Sequence, residues 1–196
     1  MITTHSLSKL LGGALLACSL SLSASAAEVA GVHFDDTTKV AGKELKLNGV
    51  GVRKKFVVKV YAAGLYLPEK AHSAADVYKQ DGPRRMSLVM LRDVSSDDFG
   101  LAYMKALNEN VDDREKARFA PQLGAAGQMS WSTTGMKKGD VLNLDWIPGT
   151  GSVYTLNGKR IGEFADLAYF NAMLRIWLGE HPVDADLKPR LLGETR

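Results

Sequence analysis

The order of extended and helical segments is the feature that most constrains the fold of this chain. Extended segments dominate the first half, helical segments follow, and a hairpin and an amphipathic helix come last. The extended segments are predicted at 29–34, 44–47, 51–68, 86–91 and 140–147, the hairpin at 152–161, and the helices at 73–79, 95–110, 112–119 and 164–178, with a short one after Asp184. Strict alternation of strand and helix would build a parallel sheet. This order instead predicts an α+β domain with helices on one face of a mostly antiparallel sheet.

Residues 51–68, GVRKKFVVKVYAAGLYLP, have the pattern of one unusually long strand. Lys55 and Lys59 within it are predicted to be solvated. In a straight strand Arg53 and Tyr61 share a face but lie roughly 26 Å apart, at about 3.3 Å per residue. A small ligand could touch both only if the chain bends near the start of the segment; otherwise the ligand is long or Arg53 is structural.

Turns and helix ends are marked by characteristic residues. Asn157-Gly158 is typical of a two-residue hairpin loop, and Asn48-Gly49 predicts a turn between extended segments. Ser95 and Asp98 have the spacing of a helix N-terminal cap. The segment 121–127, which contains a proline and two glycines, predicts a break in the chain's regular structure.

The N-terminal 26 residues have the pattern of a secretory signal peptide. One Lys precedes an apolar run from Leu10 to Leu22, and Ala24-Ser25-Ala26 offers a small-x-small cleavage site. We therefore expect a signal peptide at 1–26 and one domain at 27–196, located in the periplasm or secreted. The alternative is a lipoprotein anchored at Cys18, because residues 15–18 resemble a lipobox. No transmembrane segment is expected in the mature chain.

The composition excludes several classes of function. Cys18 is the only cysteine, so the mature chain would contain no thiolate nucleophile, disulfide or cysteine metal site. The net charge is +3 and the basic residues are scattered, which argues against nucleic acid as a partner. The histidines are far apart, so no metal site is predicted. The glycine pairs 49/51 and 149/151 lack the rest of a dinucleotide fingerprint and are interpreted as turn glycines, so no cofactor is predicted.

Two groups of motifs resemble the chalcone isomerase family. The first is Gly51-Val52-Arg53 followed by the segment 60–67, VYAAGLYL; the second comprises Pro148-Gly149-Thr150-Gly151, Asn157-Gly158-Lys159 and the segment 176–183, IWLGEHPV. Their order covers most of the chain from residue 28 to 193, and bacterial members with a signal peptide are the most similar. The resemblance implies an open-faced β-sandwich, in which helices cover a large antiparallel sheet and an apolar cleft lies between them.

What the family resemblance implies for individual residues is mixed. Arg53 matches the family arginine that stabilises negative charge on the substrate. Tyr61 stands where plant enzymes have the threonine that holds the catalytic water, and Phe99 stands where they have a water-binding tyrosine. Tyr103, one turn later on the same helix face, could supply the missing hydroxyl. Ala106 and Ile176 replace polar residues that contact flavonoid hydroxyls, which argues against a polyphenol ligand.

Three functions follow from this comparison. In the first, the cleft binds a small hydrophobic ligand such as a fatty acid; Arg53, with Tyr103 or Tyr61, holds the head group, and Phe99, Ala106 and Ile176 line the cleft. In the second, the protein is an isomerase (intramolecular lyase) in which Arg53 stabilises an oxyanion and Tyr61 or Tyr103 positions water. In the third, side chains fill the cleft and only the fold is kept. The replacements favour binding, and the protein is expected to be a monomer.

Overall fold

The computed structural model describes residues 27–131 and 135–194, except for the side chains of residues 129–131. The signal peptide predicted at 1–26 and Cys18 lie outside this part of the chain. Nine strands and six helices occur within the described residues. The strands are β1 Ala27–Val29, β2 Val32–Phe34, β3 Thr37–Val40, β4 Lys43–Lys55, β5 Val58–Leu67, β6 Arg84–Met90, β7 Val141–Ile147, β8 Gly151–Leu156 and β9 Lys159–Phe164. The helices are α1 Ala74–Lys79, α2 Ser96–Asn108, α3 Asp113–Arg118, α4 Ala120–Trp131, α5 Leu167–Leu178 and α6 Leu187–Leu191.

Seven strands, β3 to β9, form one antiparallel sheet in which every strand pairs with its neighbour in sequence. The small hairpin β1–β2 is separate from this sheet. Such a meander needs only short connections, but two of them contain helices: α1 lies between β5 and β6, and α2, α3 and α4 lie between β6 and β7. The α+β prediction, with an antiparallel sheet, is confirmed.

Alternating residues of the strands serve two separate cores. In β5, Ala63 and Leu65 belong to the large core beneath the helices, whereas Ala62 and Tyr66 belong to a smaller one on the opposite face. Helix α5 is a central part of the large core, since eight of its twelve residues are buried in it. The smaller core is covered in part by the β1–β2 hairpin, so the sheet is enclosed by helices on only one side.

The segment 51–68 is not one strand, which corrects the sequence prediction. It contains the end of β4, a two-residue loop at Phe56-Val57, and β5. The loop begins with Phe56 at φ 58°, in the left-handed region that costs a non-glycine residue about 1 kcal/mol. The hairpin places Arg53 directly opposite Tyr61 in the register of the two strands, so the predicted separation of about 26 Å was wrong.

Asn48-Gly49 lies inside β4, at a register shift between β4 and β5, and is not the predicted turn. Gly49 and Gly51 are accordingly not turn glycines: they face α6 at close range. A Cβ on Gly49 would lie 2.0 Å from the backbone oxygen of Arg190, and one on Gly51 would lie 2.6 Å from the side chain of Leu187. Position 49 therefore has to be glycine for α6 to lie against the strand, whereas a Cβ at position 51 would require the Leu187 side chain to shift.

Residues 121–127 belong to α4 and do not form the predicted break. Pro121 is the second residue of the helix, where a missing backbone N–H removes no helical hydrogen bond. The starts of α1 and α2 agree with the sequence, whereas α5 begins at Leu167 and not at residue 164, because Phe164 is the last residue of β9. Ser73 caps α1, and Ser95 caps α2 through the backbone N–H of Asp98 at 3.1 Å. Asp184 accepts hydrogen bonds from the backbone N–H groups just before and at the start of α6.

Candidate ligand cavity and the residues around it

A mainly apolar cavity lies between α2 and the sheet. Its free volume is small, about 40 Å³. The lining residues come from α2, α4, α5, the segment before β7, and strands β7 to β9: Ser96, Phe99, Gly100, Tyr103, Met104, Ala126, Gly135, Met136, Leu142, Leu144, Tyr154, Leu156, Ile161 and Trp177. The cavity thus occupies the position, between sheet and helices, where the sequence predicts the cleft.

Helix α2 presents Phe99 and Tyr103 to the cavity because residues four apart share a helix face. The Ser95 cap fixes where the helix begins, and therefore which residues face inward. The opposite face of α2 is solvated, with Leu101 69% exposed. Helix α2 is consequently the wall that separates the cavity from solvent.

Three tyrosine hydroxyls meet at the wall of the cavity. The Tyr103 hydroxyl lies 3.3 Å from the hydroxyl of Tyr154 and 3.3 Å from that of Tyr169. Burial raises the pKa of all three phenols well above the ordinary value, so they remain protonated. Because Tyr103 and Tyr154 line the cavity, they offer O–H donors to a ligand inside it.

Arg53, Tyr61 and Trp177 form a chain of contacts that ends at the cavity. The Arg53 guanidinium carbon lies 5.6 Å from the centre of the Tyr61 ring, and Trp177 Nε1–H donates to the Tyr61 hydroxyl at 2.9 Å. Burial raises the pKa of Tyr61 to about 12, although Arg53 and the Trp177 hydrogen bond act to lower it. Trp177 lines the cavity, whereas Arg53 and Tyr61 stand behind it.

Arg53 is a half-buried cation with spare hydrogen-bonding capacity. Its Nε is buried and has no hydrogen-bond acceptor among the described residues. The buried side of a guanidinium normally finds an acceptor, since leaving a buried charged donor unpaired is costly. The Arg53 guanidinium is instead packed over the ring of Tyr61.

The structure brings the predicted site residues into one region, in three different positions. Phe99 and Tyr103 line the cavity, Arg53 and Tyr61 lie behind Trp177, and Ala106 and Ile176 are buried in the same core without lining the free volume. Sequence reasoning missed Tyr154, Tyr169 and the role of Trp177. Tyr154 lies on a strand and Tyr169 on an amphipathic helix, patterns that do not distinguish a cavity-wall aromatic from a core aromatic.

No group of three or more metal-ligating side chains lies close together in the described part of the chain. Nor is any helix within residues 27–131 and 135–194 both long enough and apolar enough to cross a bilayer.

Comparison with known proteins agrees with this architecture. The crystal structure of a fatty-acid binding protein from Arabidopsis thaliana superposes with a TM-score of 0.66 and 16% sequence identity, over 83% of this chain and 92% of the plant chain. At that identity the likeness concerns the fold. No curated protein matches the sequence. The family model described as chalcone isomerase-like matches residues 26–193. The chain therefore belongs to the chalcone isomerase-like family.

Proposed function

We propose that this protein binds an apolar carboxylate, such as a fatty acid, in the cavity beneath α2. The observation that carries the proposal is an otherwise apolar cavity with two tyrosine hydroxyls at its wall. An alkyl chain gains free energy from burial against such a surface, at about 25 cal/mol per Å². The hydroxyls supply the small number of polar contacts that orient a ligand in a mostly apolar pocket. The similarity in fold to a fatty-acid binding protein supports the same proposal.

The carboxylate would accept hydrogen bonds from Tyr103 and Tyr154. Both phenols are protonated at neutral pH and can turn a donor toward an anion. Arg53 supplies the nearby positive charge, separated from the cavity by the rings of Tyr61 and Trp177. A direct Arg53–carboxylate contact would require those two side chains to move, so we assign Arg53 a long-range electrostatic role.

The ligand has to enlarge the cavity. Its free volume of about 40 Å³ holds a few water molecules at most, whereas pockets for drug-sized ligands have about 300–1,000 Å³. Outward movement of α2 would enlarge the cavity, because that helix has solvent on its other side. Met104 and Met136 in the wall can also change shape readily, since methionine side chains are unbranched and flexible.

The first prediction concerns the head-group contact. We expect protein purified from a bacterial host to carry a lipid visible by native mass spectrometry, and delipidated protein to bind added fatty acids. Tyr103→Phe should weaken fatty-acid binding about tenfold, because a hydrogen bond to a charged group is worth about 1.5–3 kcal/mol. Titration calorimetry of wild type and variant measures this difference.

Tyr66→Phe is the matched control for that variant. It removes the same hydroxyl from the opposite face of the sheet, where Tyr66 donates to the backbone oxygen of Asp35 at 3.0 Å. Its fatty-acid affinity should equal that of wild type. A clean unliganded mass together with no binding of added fatty acids would contradict the proposal.

The second prediction concerns the alternative function, an isomerase. This alternative is supported by the protonated tyrosines at the cavity, because a phenol can donate a proton to a substrate. The family reaction needs a cation beside the developing oxyanion. Arg53 does not line the cavity, and Phe99 cannot position a water molecule. We therefore expect a 2′-hydroxychalcone to cyclise at its spontaneous rate, followed by absorbance, with no change in Arg53→Ala. Fast turnover that Arg53→Ala abolishes would establish the enzyme instead.

A further inference from the structure

The tip of the β4–β5 hairpin exposes two large apolar side chains. Phe56 is 91% exposed and Val57 is 92% exposed, more than any other large hydrophobic residue described. Val58, the first residue of β5, is 41% exposed. We call residues 54–59 the hairpin tip. An isolated exposed Leu is ordinary on a protein surface, but adjacent apolar residues at the end of a protruding hairpin form a local patch.

The conformation of the loop does not require these residues. Two-residue hairpin loops with a positive φ usually contain Gly, Asn or Asp, which adopt that backbone without strain and are compatible with water. Here Phe56 has φ 58°. Phe56 therefore departs from the usual turn chemistry, and both Phe56 and Val57 expose apolar side chains to water, which is the kind of local inconsistency expected at functional sites.

The apolar tip is surrounded by positive charge. Lys54, Lys55 and Lys59 are exposed, and residues 51–68 contain no acidic side chain. Among the described residues, none of these three ammonium groups lies within ion-pair distance of a carboxylate. Asp184 contacts the base of the hairpin, but it accepts the backbone N–H of Lys54 at 2.7 Å.

We propose that the hairpin tip docks on the surface of a bilayer that contains anionic lipids. Phe56 and Val57 enter the boundary between head groups and acyl chains, and the lysines remain at the level of the lipid phosphates. Exposed apolar groups at the end of a basic element match both parts of an anionic membrane surface. A groove on a partner protein could also bury the two apolar residues. It would not, however, account for the three exposed lysines around them, which an anionic membrane surface does.

Contacts connect the hairpin tip to the ligand cavity. Arg53 precedes the tip directly and packs on Tyr61, which is bonded to the cavity residue Trp177. A membrane bound at the hairpin tip would therefore be on the same side of the cavity as Arg53 and Tyr61. The docking proposal does not depend on a ligand in the cavity, because it rests on surface side chains alone.

Sedimentation with lipid vesicles tests the docking proposal. Purified protein lacking residues 1–26 should co-sediment with vesicles of about one part phosphatidylglycerol to three parts phosphatidylcholine, and only weakly with phosphatidylcholine alone. High salt should release it. Phe56→Ser with Val57→Ser should reduce the fraction bound at least tenfold, and Lys54→Gln with Lys55→Gln should reduce it severalfold while leaving residual binding.

Two matched controls keep this test specific. Leu101→Ser removes an exposed apolar residue from α2, and Lys43→Gln removes an exposed lysine from the other end of β4; both should bind vesicles like wild type. Circular dichroism confirms that each variant is folded. Absence of binding by the parent protein, or equal binding by the tip variant, would overturn the proposal. So would concentration-dependent self-association that the tip variant abolishes while vesicle binding is absent, since a second copy would then be the partner.

Discussion

Gly49→Ala is expected to destabilise the protein by about 3 kcal/mol, at the upper end of the effect of overpacking a core. The added Cβ would lie 2.0 Å from the backbone oxygen of Arg190 and 2.8 Å from that of Leu191. Backbone atoms cannot turn aside as a side chain can, so α6 would have to separate from β4. For a domain of this size such a loss lowers the melting temperature by roughly 10 °C, which thermal unfolding followed by circular dichroism measures.

Gly124→Ala provides the matched control, because it makes the same chemical change in a position with space. No atom lies within 4 Å of a Cβ built on Gly124, which is exposed on α4. Alanine in a helix interior is favoured over glycine by about 0.5–1 kcal/mol, so this variant should be slightly more stable than wild type. If Gly49→Ala and Gly124→Ala unfold at the same temperature, the close contact between α6 and β4 is wrong.

The second large effect is expected at the ion pair of Arg85 and Asp145. The two residues are cross-strand neighbours, and the guanidinium donates to both carboxylate oxygens at 2.7 Å. Their side chains are only 19% and 7% exposed. Asp145→Ala leaves the Arg85 charge with Thr38 as its remaining partner, and we expect a loss of about 3 kcal/mol in urea-induced unfolding.

Two further variants separate burial of this pair from mere loss of an ion pair. Glu109→Ala removes an exposed ion pair, in which Glu109 Oε1 lies 3.6 Å from Lys105 Nζ. This variant should lose less than about 0.5 kcal/mol of stability. The double variant Arg85→Met with Asp145→Leu removes both charges and should recover most of the stability lost in Asp145→Ala. A double variant as unstable as the single one would show that the loss comes from packing.

The sequence predicts the antiparallel meander well wherever turns and caps use the usual residues. The Asn157-Gly158 hairpin and the cap at Ser95 are found as predicted, because their side chains satisfy local backbone geometry and hydrogen bonds. The prediction fails at Phe56-Val57, where strand-forming residues occupy a turn. It fails again at 121–127, where the pattern does not distinguish a proline early in a helix from one that breaks a helix.

The candidate site is less predictable than the fold because it depends on pairings between distant segments. The sequence indicates Phe99 and Tyr103 through their shared helix face, and the structure places both at the cavity. The partners of Tyr103 come from β8 and α5, 51 and 66 residues further along the chain. The sequence also did not predict that Arg53 and Tyr61 are neighbours, because the hairpin loop that brings them together contains no residues typical of a turn.

The contact between β4 and α6 also limits the order in which parts of the fold can form. Each strand of the meander pairs with its sequence neighbour, so the sheet can grow through local contacts. The Asn48 side chain, in contrast, donates to the backbone oxygen of Leu191, 143 residues away. The glycine surface of β4 can therefore be covered by α6 only after the rest of the chain, including every strand of the sheet, has been synthesised.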